Sequence, residues 1–166
     1  MREDVRPIPA RLPPKGYTAG MHNRLLATAS IRIDAPVAVV WDAIVNPAVI
    51  KGYMFGTEVV TDWKEGSPIV WKGVWKDKPY EDKGEILVLV PQNTLQVTHF
   101  SPLSGEADVP ENYHTLTYEV TREGEGTRVS LTQDNNKDET EVEHSKTMWE
   151  NMLQGMKRTV EGAAGQ

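Results

Sequence analysis

Near the C-terminus, Ser145, Met148, Trp149, Met152, Leu153, Met156 and Val160 recur at spacings of three and four, one broad apolar face of a long helix. The opposite face is charged, so the apolar side must lie on something, and a sheet upstream is the cover that the rest of the sequence offers. Thr140 and Glu143 read as a capping box, with Glu141 and Glu143 at the positive end of the helix dipole. Lys157 and Arg158 suit the other end, and Gly162 marks the stop. Gly155 lies inside this helix, where glycine costs about 1 kcal/mol relative to alanine. Close approach by the sheet or by a ligand is therefore expected there.

The cover is legible as strands. Ala27, Ala29, Ile31 and Ile33 alternate with Thr28, Ser30 and Arg32 in a first strand over 25–34. Pro36 opens a short helix carrying Val37, Val40, Trp41 and Ile44, and Asn46-Pro47 separates it from a second over 48–55. Further strands are expected near 57–63, 68–76, 80–90, 94–100, 113–122 and 127–134, divided mostly by short turns that force antiparallel neighbours. The segment 101–112 is too long for a tight turn and lacks periodicity, which makes it a candidate lid. This predicts an α+β fold: a curved antiparallel seven-strand sheet around a long C-terminal helix, with two short helices between strands one and two. Residues 25–162 form that domain, and residues 1–24, with Pro7, Pro9, Pro13 and Pro14, read as an N-terminal arm.

Composition narrows the function. At 166 residues the chain suits a single core, and it has no cysteine for a disulfide or thiolate metal site, which fits a reducing cytoplasm. A net charge of −6 with no basic face argues against nucleic acid, and no apolar run is long enough to span a bilayer. His22, His99, His114 and His144 show no metal-ligand spacing, and no nucleophile elbow or phosphate loop is present, so neither metal nor cofactor is expected. The oligomeric state is open, and a homodimer is allowed.

Several segments, in their order, resemble the START-like helix-grip (SRPBCC) superfamily, in the branch named for the activator of the Hsp90 ATPase. They are Ile33-Asp34-Ala35-Pro36 running into Val40-Trp41-Asp42-Ala43, Gly66 with Pro68 to Gly73, Gly84-Glu85-Ile86 ending at Pro91, Leu95 to His99, Gly126 to Gln133, and Trp149 with Lys157. The resemblance covers about residues 25–161 and implies a helix-grip fold whose cavity takes small ligands. The family pattern often has Trp where His99 stands and His where Gln133 stands, and both departures fall inside the expected cavity.

Strand parity names the cavity lining. Trp71 and Trp75 share an inward face with Ile69 and Gly73; Leu95, Val97 and His99 share another; His114, Leu116, Tyr118 and Val120 a third; Val129, Leu131 and Gln133 a fourth. Trp149, Met152 and Met156 would close it from the helix, their thioethers suiting a wall that adapts to shape. Mostly apolar walls with a few convergent polar tips, His99, His114, Tyr118 and Gln133, have the composition of a small-molecule pocket. Each polar tip and each tryptophan also has an ordinary role in a satisfied core. The expected function is binding of a small apolar or aromatic molecule. Two alternatives stand beside it: a cyclase, dehydratase or hydrolase using a cavity histidine, and a chaperone-associated interaction module acting through its surface.

Overall fold

The computed structural model describes residues 25–164, so the N-terminal arm expected over 1–24 lies outside the described residues. Seven strands form one antiparallel sheet: β1 (Ala27–Ile33), β2 (Glu58–Val60), β3 (Pro68–Trp75), β4 (Lys78–Val90), β5 (Thr94–His99), β6 (His114–Glu123) and β7 (Gly126–Gln133). Their order across the sheet is β1-β7-β6-β5-β4-β3-β2, so every neighbour but the β1–β7 pair is also next in sequence. Helices α1 (Val37–Val45) and α2 (Pro47–Tyr53) lie between β1 and β2, and α3 (Glu139–Ala164) follows β7. Asn46 makes the break between the short helices by accepting a hydrogen bond from the Ala48 backbone N–H at 3.1 Å, and Pro47 takes the first helical position.

The core fills the concave side of the sheet. Ile33, Ile69, Ile86, Val97, Leu131, Leu153 and Met156 are among the fully buried side chains, so sheet and helix share one apolar layer. The closest backbone approaches of α3 are to β1, α2 and α1. Lys157 fastens α3 to the edge strand by donating to the Arg32 carbonyl at 2.9 Å. Gly155 faces α2 rather than the sheet or a ligand: a Cβ there would meet the Tyr53 carbonyl oxygen at 3.5 Å.

Three local expectations are corrected. The first turn of α3 is capped two residues earlier than Thr140 and Glu143 suggest. The Asp138 carboxylate accepts from the Glu141 N–H at 2.8 Å, and the Glu141 carboxylate accepts from the Lys137 N–H. The helix runs through Gly162 to Ala164, and a Cβ on that exposed glycine would meet open space. Met148 is 43% exposed, since the apolar stripe is narrower at this end, where Ser145 and Trp149 take the inward positions.

Candidate functional site

Antiparallel register places the candidate residues on one concave surface. Trp71 stands opposite Asp82 in β3–β4, Ile86 opposite Val97 in β4–β5, and His99 opposite His114 in β5–β6. A bulge between Ile86 and Val88 breaks the alternation of β4, so Ile86 and Leu89, three apart, both face the core side. Beyond the regular ladder, β4 crosses β5 closely at Gly84, where a Cβ would collide with the Thr98 carbonyl oxygen. That crossing brings Asp82 within reach of the end of β5.

The sequence-predicted residues divide into three groups. Leu95, Val97, Leu116, Met152 and Met156 are buried and form the apolar floor and roof. Gln133 and Trp149 are also buried but fully engaged with protein. The Trp149 indole N–H donates to Gln133 Oε1 at 2.8 Å, and Gln133 Nε2 donates to Asn136 Oδ1 at 2.9 Å and Ser145 Oγ at 3.0 Å. Gln133 therefore serves as a clamp between β7 and α3 and offers no free polar tip. Trp75 stands apart from the others. It is 56% exposed at the β3–β4 hairpin, with the Lys76 ammonium over its ring, because β3 outruns the core at that end. Trp75 keeps the expected parity but lines no interior surface.

Trp71, His99, His114 and Tyr118 remain part-exposed on the concave side. His99 Nε2 lies 2.9 Å from Asp82 Oδ2, and its ring meets the Trp71 indole edge-on at 5.1 Å. The other carboxylate oxygen of Asp82 is buried and lacks a hydrogen-bond partner among the described residues. His114 is more tightly engaged: Nδ1 is 2.8 Å from the Asp134 carbonyl and Nε2 is 3.4 Å from the Glu141 carboxylate. Tyr118 lies near Tyr53, and burial pushes both hydroxyls above their ordinary ionisation range. Tyr53 donates to the Ala43 carbonyl at 2.6 Å, whereas the Tyr118 hydroxyl has no partner among the described residues. Tyr118 lies four residue steps along β6 from His114, so Tyr118 and the His99–His114 pair are about 13 Å apart along the floor.

The segment after β5 is tied down at several points. Short 3-10 turns occupy Pro102–Ser104 and Pro110–Asn112, and Phe100 stacks on Tyr113 at 5.1 Å. Lys83 pairs with Asp108, which also accepts from the Tyr113 hydroxyl at 2.5 Å, and Asn135 donates to the Glu111 carbonyl at 2.8 Å. The two partners, Lys83 first and then Tyr113, hold the Asp108 carboxyl below its usual range. Beside this segment a surface cleft of about 700 Å³ is lined by Glu106, Glu111, Asn112, His114, Asn135 and Lys137. No group of His, Asp and Glu suited to a metal ion occurs among the described residues. Among them, too, no helix is long and apolar enough to cross a membrane.

A sheet wrapped on a terminal helix, with two small helices bridging the first strands, is the helix-grip class. The sequence matches the family described as "Activator of Hsp90 ATPase homolog 1-like protein" over residues 34–161, and the chain belongs to that family. It is similar to the solution structure of ChR145 from Cytophaga hutchinsonii, with 52% identity and a TM-score of 0.76, over 86% of this chain and 98% of that one. CalU16 from Micromonospora echinospora shares the fold at 21% identity and a TM-score of 0.64, over 82% of this chain and 84% of its own. A protein of Nitrosomonas europaea, NE0264, does so at 15% identity and 0.68, over 86% and 97%. No curated protein matches the sequence.

Proposed function

We propose that this chain binds a small, largely apolar molecule on the concave face, between β3–β6 and α3. One observation carries the reading. Trp71, His99 and Tyr118 face inward yet stay part-exposed, and the Tyr118 hydroxyl has no protein partner among the described residues. A core built only for stability would bury such aromatic surface and pair such groups. Affinity would come from burial of the ligand against Val97, Leu116 and Trp71, at about 25 cal/mol per Å² of apolar surface, and orientation from the polar tips at the two ends. Fold membership adds a scaffold compatible with ligand binding and does not choose the ligand. Neither an enzymatic nor a chaperone-associated role draws comparable support from the site.

Native mass spectrometry of gently purified protein, followed by NMR titration with a naphthalene-class probe, tests this reading. Binding should move the resonances of Trp71, Leu89 and Tyr118 and leave exposed Trp75 unmoved. Shifts confined to Trp75 and its exposed neighbour Val74, or none at all, would refute it.

A further inference from the structure

Resting on that reading, we infer that the site selects ligands carrying a neutral hydrogen-bond donor, a hydroxyl or N–H on an apolar ring-sized body, and that Asp82 imposes this choice through His99. An ionised carboxylate only accepts hydrogen bonds, so the 2.9 Å contact from Asp82 Oδ2 assigns the proton of the neutral imidazole to Nε2. Nδ1 is then left with a bare lone pair. It has no partner among the described residues and is not among the fully buried polar atoms, so it stays open to a ligand. The edge-on Trp71 indole supplies apolar surface against the imidazole.

His114, directly across the strand pair, shows that this opening is particular to His99. Its Nδ1 faces a backbone carbonyl and its Nε2 faces Glu141, so both nitrogens are occupied. Asp82 also sets what is refused. His99 is its one described hydrogen-bond partner, and its second oxygen is buried and unpaired, so its negative charge stands one imidazole away from the ligand position. A carboxylate ligand would meet that charge in surroundings that screen it poorly.

Three naphthalene probes, the first two isosteric, separate these effects: beta-naphthol, beta-methylnaphthalene and beta-naphthoate, each titrated into the whole protein. Naphthol should bind about tenfold or more tightly than methylnaphthalene, the value of one well-placed hydrogen bond to a group otherwise left unpaired. Naphthoate should bind more weakly than naphthol. His99→Phe should abolish the advantage of naphthol over methylnaphthalene, read as the ratio of the two affinities in the variant. In Asp82→Asn the amide is free to turn its NH2 toward Nε2, which moves the imidazole proton to Nδ1, so naphthoate, which only accepts, should gain on naphthol. A wild-type protein that binds none of the three overturns the ligand-binding reading itself. One that binds naphthol and methylnaphthalene equally leaves that reading standing and overturns this inference. Nitrogen NMR of the neutral His99 ring gives a readout that does not depend on any variant folding: an unprotonated Nδ1 is expected, and a protonated Nδ1 refutes the assignment.

Discussion

Trp149→Phe isolates one hydrogen bond in the clamp between β7 and α3. The indole is 8% exposed, and its N–H donates at 2.8 Å to Gln133 Oε1, while the amide nitrogen of Gln133 is already committed to Asn136 and Ser145. Phenylalanine keeps most of the apolar burial and removes the donor. The loss has two parts: about 1–3 kcal/mol for a buried carbonyl left unsatisfied, and about 1 kcal/mol for the smaller ring. A total of about 2–4 kcal/mol is measurable in a domain of this size, whereas Trp149→Ala, at about 3–5 kcal/mol from its cavity alone, approaches the whole of a marginal domain's stability. Urea titration gives the value if the slope with denaturant stays constant. Adding Gln133→Leu to Trp149→Phe removes the orphaned acceptor, so the double variant should lose at least about 1 kcal/mol less than the sum of the two single variants. A loss below about 0.5 kcal/mol for Trp149→Phe, or strict additivity, would refute the clamp.

Two further outcomes follow from the geometry. Gly155→Ala should stabilise the fold by about 0.5–1 kcal/mol in the same titration: the added methyl meets Tyr53 at ordinary contact distance, 3.5–3.6 Å, and the helix gains alanine's propensity. Destabilisation would mean that α2 and α3 lie closer than described. The ties on the segment after β5 should loosen only in acid. The Asp108 carboxyl is held below 3.8, so the stability it contributes is present above that ordinary value and is lost as pH falls through the lower folded-state value. Backbone hydrogen exchange over residues 101–113 should therefore speed up below about pH 4 relative to the rest of the sheet, once corrected for intrinsic rates. The same protection at pH 2 as at pH 6 would show that Asp108 does not hold the loop.

The strands and the long helix were legible because alternation and turn residues agree along most of the chain. Val97, Leu116 and Leu131 fall on the inward face by parity alone, and the structure buries all three. Parity failed where a second factor intervened. Trp75 has the inward parity but lies past the edge of the core, and alternation carries no information on where a strand outruns its cover. In β4 the bulge puts Ile86 and Leu89 on one side, so the apolar run there had no readable phase. Asp82 was hidden among the charged neighbours Glu81, Lys83 and Glu85. A signal was nevertheless present. Counting antiparallel partners back through the Lys76–Asp77 turn sets Asp82 opposite Trp71 and hence on the inward face. Asn136, fully buried and bonded to the Leu25 carbonyl and to Gln133, had no such signal, because it lies in no periodic segment.

The division of the polar tips bears on why the concave face can serve as core and as pocket at once. Polar groups inside a fold are costly unless paired, so each pairing marks a place where the structure is closed. The paired set, Gln133, Asn136, Ser145 and Trp149, joins the end of β7 to the first half of α3, and Lys157 repeats the attachment at β1 farther along the helix. Both attachments hold α3 from the β1–β7 side of the sheet. The backbone of α3 lies closer to β1 than to β3–β5, so these attachments help to set where the helix sits over those strands. The side chains that stay part-exposed or lack a partner, Trp71, Leu89, His99 and Tyr118, lie on β3, β4, β5 and β6, away from the attachments. Loss of the clamp should therefore reach the ligand indirectly: Trp149→Phe should weaken naphthol and methylnaphthalene by the same factor, because the width of the site changes while the acceptor on His99 does not. A selective loss of naphthol binding in that variant would show that the clamp and the His99 end of the site are not the separate structures described.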